Sequence, residues 1–207
     1  MSKHKRQEGY PRIQVERKTG KERFSFVDRL LEATLVDFWQ WSTSDLVNNS
    51  TRGILAEYIV AHALGVARKV REPWKAYDLD YREMKIEVKS AAYLQTWYHK
   101  ELSKITFPIR PTRNWDAETN VQSKDEKRRA DIYVFCLLEH TDKRTLDPMN
   151  LDQWKFYLLP ASVLNRRFPT RKSVGLKRLL KLEPCVARFG EVKGFVDMLS
   201  QRIKRHG

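Results

Sequence analysis

The chain has 207 residues, 41% of them hydrophobic and 11% aromatic, which suits one globular domain with appended ends. No apolar run reaches the roughly 20 residues that a membrane span needs, and no apolar stretch follows the basic N-terminus, so we expect neither a membrane protein nor a secretory signal. The two cysteines, Cys136 and Cys185, lack metal-ligand spacing and favour a reducing compartment. We therefore expect a cytoplasmic protein.

The net charge of +14 lies wholly in the two ends of the chain. Residues 1–23 carry eight Lys/Arg against three Asp/Glu, and residues 166–207 carry twelve against three. The remaining residues, 24–165, carry 20 of each sign. A neutral body with basic ends can hold acidic site residues while its ends attract a polyanion, so we expect a nucleic acid as the partner.

The first part of the chain predicts an arm followed by two helices. Residues 1–24 are polar and charged, which is typical of a basic flexible arm. Behind a capping-box pattern at Ser25, apolar side chains recur at helical spacing and predict a helix over 26–41. A second helix is predicted from residue 50 or 51 to residue 64, where Gly65 provides a C-terminal cap.

Strand signals follow the second helix. Residues 66–71 predict a strand, and residues 75–82 and 84–89 alternate between apolar and polar side chains as half-buried strands do. Residues 102–109 are a weaker strand candidate. The polar stretch 112–129 predicts a loop with a helical turn near its end.

The later part of the chain predicts the centre of a sheet. Residues 131–139 are apolar almost throughout, which indicates a strand buried on both faces, and 154–159 predict the next strand. Residues 176–182 and 195–203 predict helices. This order predicts an α/β fold with a central mixed sheet of four to five strands, flanked by helices and preceded by an N-terminal helix.

The two alternating strands place carboxylates opposite each other. If residues 82–83 form the turn, Asp80 faces Lys85 as an ordinary ion pair, and Asp78 faces Glu87. Like charges directly opposite destabilise a sheet, so a positive group must offset the repulsion between Asp78 and Glu87. A divalent cation is the candidate.

Lys89 extends this constellation. It lies two residues beyond Glu87 and shares its face, so the two side chains can flank one ion and one water. The carbonyl of Val88 lies between them as a further oxygen ligand. Mg²⁺ suits such a site, with Mn²⁺ as a substitute. The alternative is a salt bridge between Lys89 and Glu87 without a metal.

Glu57 lies on the second predicted helix among small and apolar neighbours. A carboxylate on a core-facing stripe is costly unless it is paired or metal-bound. Two interpretations stay open: a buried salt bridge, to Arg52 or to a more distant basic residue, or a metal ligand.

These segments resemble the PD-(D/E)XK nuclease superfamily, whose restriction-endonuclease-like core places such groups at one edge of a mixed sheet. The resemblance rests on residues 52–58, 77–80 and 86–90 and covers roughly residues 50–160. It implies a Mg²⁺-dependent endonuclease that hydrolyses phosphodiester bonds of DNA, restriction-like or repair-like, with RNA as the alternative substrate. Composition and charge set the outer bounds of this core, with an arm over 1–24, the nuclease core over 25–165 and a basic helical extension packed on that core over 166–207.

The resemblance assigns roles by position. Asp78 and Glu87 match the two acidic positions, Lys89 matches the lysine, and Glu57 matches a helix glutamate that would hold a second ion or orient water. Gln95 resembles a glutamine found after the lysine in some branches. Tyr77 stands where many members have proline. Asp80 is a secondary candidate for the site. Members of the family often dimerise, so a homodimer is also expected.

A charge run and the histidines complete the candidates. The run borders the expected cleft and could contact phosphate, although such a run is more often a solvated face. Its members are Lys124, Lys127, Arg128 and Arg129. The histidines are dispersed without ligand spacing, which argues against a zinc nuclease. They are His4, His62, His99, His140 and His206.

The same fold could also serve other roles. One alternative is a catalytically inactive nucleic-acid-binding module, and another is a subunit of a larger DNA-processing complex. The presence of Asp78, Glu87 and Lys89 together argues against the inactive module, and a magnesium titration separates it from an enzyme.

Overall fold

The structure, a computed structural model, describes residue 10 and residues 12–206. Ten residues of the predicted arm, 1–9 and Pro11, lie outside the described residues, as does Gly207. The α-helices of the described part are α1 Leu35–Thr43, α2 Asn49–Ala63, α3 Ala161–Arg167, α4 Leu176–Leu180 and α5 Val192–His206. Its strands are β1 Arg23–Phe26, β2 Arg29–Thr34, β3 Leu79–Tyr81, β4 Met84–Ala92, β5 Thr106–Pro108, β6 Trp115–Asp116, β7 Val121–Gln122, β8 Ile132–Leu138, β9 Trp154–Pro160, β10 Ser173–Gly175 and β11 Cys185–Ala187.

A five-stranded mixed sheet forms the centre of the fold, in the order β11-β9-β8-β4-β3. Strands β4 and β8 run parallel, and the other neighbours run antiparallel. All seven side chains of β8 are apolar and buried, because helices or loops cover both faces of the sheet. The predicted α/β class, the mixed sheet and its doubly buried central strand are confirmed.

Two apolar layers hold the sheet. On one face α2 and α5 pack against the side chains of β8 with even numbers, such as Val134. On the other face α3, α4 and the β5–β10 pair pack against those with odd numbers, such as Phe135, whose ring lies 5.1 Å from that of Phe107. Side chains of β4 alternate in the same way. Ile86 and Val88 therefore lie in the first layer, and Glu87 and Lys89 face the second.

The predicted helix over 26–41 is wrong in its first half. Strands β1 and β2 form a hairpin there, and α1 begins only at Leu35. The turn takes positive φ angles at Val27 and Asp28, and the capping box lies at Thr34 and Asp37. The apolar spacing of this segment is thus compatible both with a helix and with a hairpin. The helix starts after the capping box of Thr34 and Asp37, and not after the one predicted at Ser25.

The hairpin and α1 stand away from the sheet. Neither β1 nor α1 has a buried residue, and Trp41 is 85% exposed. Several further large apolar side chains of this unit are exposed: Phe24, Phe26, Val27, Leu30, Leu31 and Phe38. No helix of the described residues is long and apolar enough to span a bilayer.

Other predicted elements differ in extent. The predicted strand over 66–71 is irregular, and β3 covers only the end of the segment predicted over 75–82. The predicted helical turn within 112–129 is absent, and the short β6–β7 hairpin occupies part of that loop. Helix α2 is confirmed, with Asn48 as its N-cap and Gly65 in the left-handed conformation after its end.

The last part of the chain adds both a strand and a helix to the fold. Strand β11 pairs with β9 as one outer strand of the sheet, and α5 packs on the face that α2 also covers. The helical signals over 176–182 and 195–203 correspond to α4 and α5.

Candidate active site

The β3–β4 hairpin has the predicted register. Tyr81 lies opposite Met84, Asp80 opposite Lys85, and Leu79 opposite Ile86. The turn residues 82–83 have φ angles of 47° and 71°, which is the pattern of a type I′ turn, formed here without Gly or Asn. The tight turn fixes the register, and this brings Asp78 beside the middle of β4.

Asp78 caps the end of β3 against the edge of β4. Its backbone N–H donates to the carbonyl of Ile86 at 3.0 Å, and its Oδ2 accepts from the backbone N–H of Val88 at 2.7 Å. Because β3 begins only at Leu79, none of the described strands pairs with β4 at Val88 on this side. The N–H and C=O of one residue point to the same side of a strand, so the Val88 carbonyl is directed to the same open edge.

Glu87 and Lys89 flank Val88 on β4. The Lys89 ammonium forms an ion pair with Oε1 of Glu87, and the side chains of Lys89 and Glu87 are only 24% and 17% exposed, respectively. Both side chains face the sheet layer opposite α2, as alternation along β4 requires. The carboxylates of Asp78 and Glu87 therefore approach each other around the edge of one strand, with a cation beside them.

The electrostatics of this group favour binding of positive charge. Burial, the charge of Glu87 and the charge of Glu57 together raise the pKa of Asp78 to about 7. Burial alone would lower the pKa of Lys89, but the negative charges of Glu87 and Asp78 outweigh it and raise that pKa. Lys89 is therefore an ammonium at neutral pH, but its charge does not offset the effect of burial and of the two neighbouring carboxylates on the pKa of Asp78.

Glu57 forms a bidentate ion pair with Arg71. The distances are 2.5 Å from Nε to Oε2 and 2.8 Å from Nη2 to Oε1. The salt-bridge interpretation of Glu57 thus holds, but with Arg71 instead of Arg52. Arg52 is buried and donates to Ser90, Val47 and Asn49.

Arg71 is a site residue that the sequence did not reveal. It lies in the irregular segment after α2, and the charges of Glu57 and Asp78 raise its pKa, so its guanidinium lies near both carboxylates. The signal that could have found it is the inward Glu57 itself, because a buried carboxylate demands a cation. Sequence spacing alone could not select which of many arginines supplies it.

The oxygen atoms at this edge fit a magnesium ion. Among residues 12–206, no three His, Cys, Asp or Glu side chains form a metal-binding group. The donor set is instead two carboxylates, Asp78 and Glu87, with the Val88 carbonyl. Mg²⁺ commonly takes one or two carboxylates and keeps several waters, so three protein oxygens suffice. The raised pKa of Asp78 means that a cation beside this carboxylate would be favoured.

The two secondary candidates, Asp80 and Gln95, have other partners and do not join the carboxylates at the edge of β4. Asp80 forms an ion pair with Lys75, and the predicted pair with Lys85 is wrong. Gln95 is buried beyond the end of β4, where its Nε2 donates to the carbonyl of Ala92 and to Ser103, and its Oε1 has no partner. Nothing here connects Gln95 with the carboxylates.

The predicted phosphate-contact run divides into exposed and buried members. Lys124 is exposed, and the exposed Lys127 pairs with Asp125 at 2.9 Å. Arg128 is 7% exposed, and its guanidinium is used inside the protein. Arg129 is half-buried and binds Ser123 and Asp125 through Nη2. Arg128 therefore holds the fold together instead of facing a ligand.

The carboxylates lie between two openings of the surface. Asp78 and Glu57 border a cavity of about 600 Å³, which is also lined by Trp39, Tyr58 and the chain segment 15–19. Glu87 and Lys89 border a much smaller pocket on the other side of β4. Asp78 is thus reached from the large cavity, and Glu87 and Lys89 from the small pocket.

Comparison with protein families places most of the chain in a known family. Residues 12–178 match the family model described as bacteriophage T4 endonuclease IV. Searches of curated proteins and of solved structures found no match. The matched range contains β3, β4 and every residue of the candidate site.

Proposed function

Because the chain belongs to the bacteriophage T4 endonuclease IV family, a family of nucleases, we propose that it hydrolyses phosphodiester bonds of DNA with Mg²⁺ at the edge of β4. One observation carries the proposal: the Asp78 carboxylate accepts a hydrogen bond from the N–H of Val88, beside the half-buried Glu87–Lys89 pair. Two carboxylates and a carbonyl at one open strand edge offer oxygen ligands for a metal ion, and the ammonium beside them suits the negative charge of a phosphate. A PD-(D/E)XK kinship is part of this proposal, supported by the order of these residues on two paired strands.

We assign the roles of these residues from their charges. Asp78, Glu87 and the Val88 carbonyl would hold Mg²⁺, with Mn²⁺ as a substitute. Bound there, the ion would lower the pKa of a water and neutralise phosphate oxygens. Lys89 stays protonated, so it orients the attacking water and stabilises the negative charge that develops on the phosphate, and does not act as a base.

Glu57 and Arg71 would position this group without holding a second ion. Arg71 binds both carboxylate oxygens of Glu57, so a metal ion would have to displace it, whereas Lys89 pairs with Oε1 of Glu87 and a metal ion would approach the other oxygen. The pair also presents a fixed cation to Asp78 from the side of the large cavity. We therefore propose one metal ion for each site.

Replacing Glu57 by Gln tests this assignment. We expect cleavage to fall about 10- to 100-fold, as for loss of a supporting contact, while the affinity for Mg²⁺ changes little. Glu72→Gln is the matched control, because Glu72 is an exposed carboxylate on the same cavity. Titrations of cleavage against Mg²⁺ measure both quantities, and a large rise in the Mg²⁺ requirement of Glu57→Gln would instead assign Glu57 to a metal.

The activity itself is tested with circular and linear DNA, and with RNA as the alternative substrate. We expect cuts in circular DNA with Mg²⁺ or Mn²⁺ and none in EDTA. Cleavage that persists in EDTA would contradict the metal-dependent site. Nucleic-acid binding without cleavage, and without heat on titration with Mg²⁺, would indicate an inactive binding module or a subunit of a larger complex.

A homodimer would use the exposed apolar side chains of β1, β2 and α1. Large apolar side chains of this unit are exposed, among them Phe26 at 71% and Trp41 at 85%, and clustered exposed apolar side chains mark protein interfaces. Sedimentation of wild type and of Phe26→Asp tests this, since a monomeric wild type excludes it.

A further inference from the structure

A small pocket lies beside the proposed catalytic residues. Its volume is about 120 Å³, and Glu87 and Lys89 form one wall, while Arg110, Arg129 and Tyr133 form others. This is the space of about four molecules of liquid water, enough for a group of a few atoms and too little for a nucleobase with its sugar. The pocket is distinct from the large cavity that Asp78 borders.

The charges around the pocket are mainly positive. Lys89, Arg110, Arg128 and Arg129 line it against a single carboxylate, that of Glu87. Glu87 is already paired with Lys89, and Arg129 is paired with Asp125 outside the pocket, so the charges of Arg110 and Arg128 are left without a paired carboxylate. Such a surplus in a narrow space attracts an anion.

Two of these arginines have donors to spare. The Nε of Arg129 is buried and has no hydrogen-bond partner, although Nη2 of the same side chain is well bonded. Arg110 is exposed and makes no ion pair or hydrogen bond with any part of the chain that the structure describes. A buried donor without an acceptor is uncommon in proteins and indicates that a water or ligand completes it.

Arg128 supplies charge and rigidity but no free donor. Its Nε donates to the carbonyl of Ile109 at 2.6 Å, and its two terminal nitrogens donate to Asn165 and to the carbonyls of Phe168, Pro169 and Arg171. It thereby fixes the backbone immediately before Arg110 and immediately before Arg129. The pocket is preorganised, because the two arginines with spare donors project from clamped chain segments.

We propose that this pocket binds a phosphate group of the nucleic acid adjacent to the phosphate that is cut, with Arg110 and Arg129 as donors. The assignment rests on the proposed function, because the wall shared with Glu87 and Lys89 places the pocket next to the reacting phosphate. Arginine suits this role through its planar set of donors, which matches phosphate oxygens. The pocket would hold the strand in register while the group at the edge of β4 acts on it.

The test measures binding without cleavage. Arg110→Ala is the leading variant, because Arg110 has no internal contact among the described residues and its loss leaves the fold intact. A short fluorescent oligonucleotide in EDTA reports Kd by anisotropy at several salt concentrations. We expect Kd to rise about tenfold and the slope of log Kd against log salt to fall by about one, as for loss of one phosphate contact. Arg113→Ala is the matched control, an exposed arginine of the same loop that pairs with Glu126.

A second variant separates charge from geometry. Arg129→Lys keeps the charge but loses the unpaired Nε, so we expect weaker binding with an unchanged salt slope, and thermal melting verifies its fold. If Arg110→Ala binds as tightly as the Arg113→Ala control, the pocket proposal fails. That outcome is separate from a failure of the proposed enzyme activity, since binding in EDTA needs no catalysis. A wild type that binds DNA through Arg110 but never cuts it would contradict the enzyme proposal and leave the pocket proposal intact.

Discussion

We expect Asp78→Asn to lower DNA cleavage at least about 1,000-fold at saturating Mg²⁺, because the variant loses one of the two carboxylates proposed to hold the ion. The amide keeps the size of the side chain but cannot offer two anionic oxygens. Gel-based cleavage assays measure the activity, and thermal denaturation with and without Mg²⁺ measures metal binding independently. Mg²⁺ should raise the Tm of the wild type and leave that of the variant unchanged.

In EDTA, where no metal is bound, we expect Asp78→Asn to make the protein more stable than the wild type at neutral and higher pH. The folded state raises the pKa of Asp78 from its ordinary value of 3.8 to about 7, so it holds the proton more tightly than the unfolded chain does. Asp78 therefore makes the metal-free wild type less stable as the pH rises from about 4 to about 7, with no further loss above that range. The amide that replaces this carboxyl group in the variant cannot ionise. The variant should match the wild type near pH 4 and exceed its Tm at pH 8.

Asp80→Asn is the control for both measurements. Its carboxylate lies two residues from that of Asp78 but pairs with Lys75, so we expect cleavage within a few-fold of wild type. Near-normal cleavage by Asp78→Asn, or an equal loss in Asp80→Asn, would remove Asp78 from the site.

The second large effect is expected at Arg128. Replacing it by Ala should lower the free energy of unfolding by about 3 kcal/mol or more, because several buried carbonyl groups lose a charged donor at once. Its guanidinium joins the carbonyl of Ile109 to the carbonyls of the segment after α3. Urea denaturation measures the change.

Arg113→Ala again provides the comparison, and we expect it to change the stability by less than about 0.5 kcal/mol, since its ion pair with Glu126 is exposed. An Arg128→Ala variant as stable as wild type but deficient in DNA binding would restore Arg128 as a direct phosphate contact, the role that its sequence context suggested.

Local patterns in the sequence were sufficient to locate most of the sheet. The alternation on either side of residues 82–83 predicted β4 and the end of the preceding strand, and a two-residue turn at 82–83 then implied the register that the structure has. The continuous apolar run of β8 predicted a strand buried on both faces. The placement of Asp78, Glu87 and Lys89 near one another follows from the pairing of β3 with β4 and from the alternation along β4.

The errors arose where two local structures shared one pattern. Residues 26–34 satisfy helical spacing and also form a two-stranded hairpin, so their sequence could not decide between them. Residues 66–71 have the composition of a strand, but they connect α2 to the site as irregular chain and bring Arg71 to Glu57.

What the sequence determined by itself is the strand pair and the carboxylates and lysine at its edge, because a turn and a period of two act over only a few residues. The tertiary structure alone decided that Arg71 neutralises Glu57, that Lys75 takes Asp80, and that Arg128 is buried while Arg110 is exposed. Each of these depends on which groups folding brings together. A charge pattern along the chain contains no information about which opposite charge will be near in space.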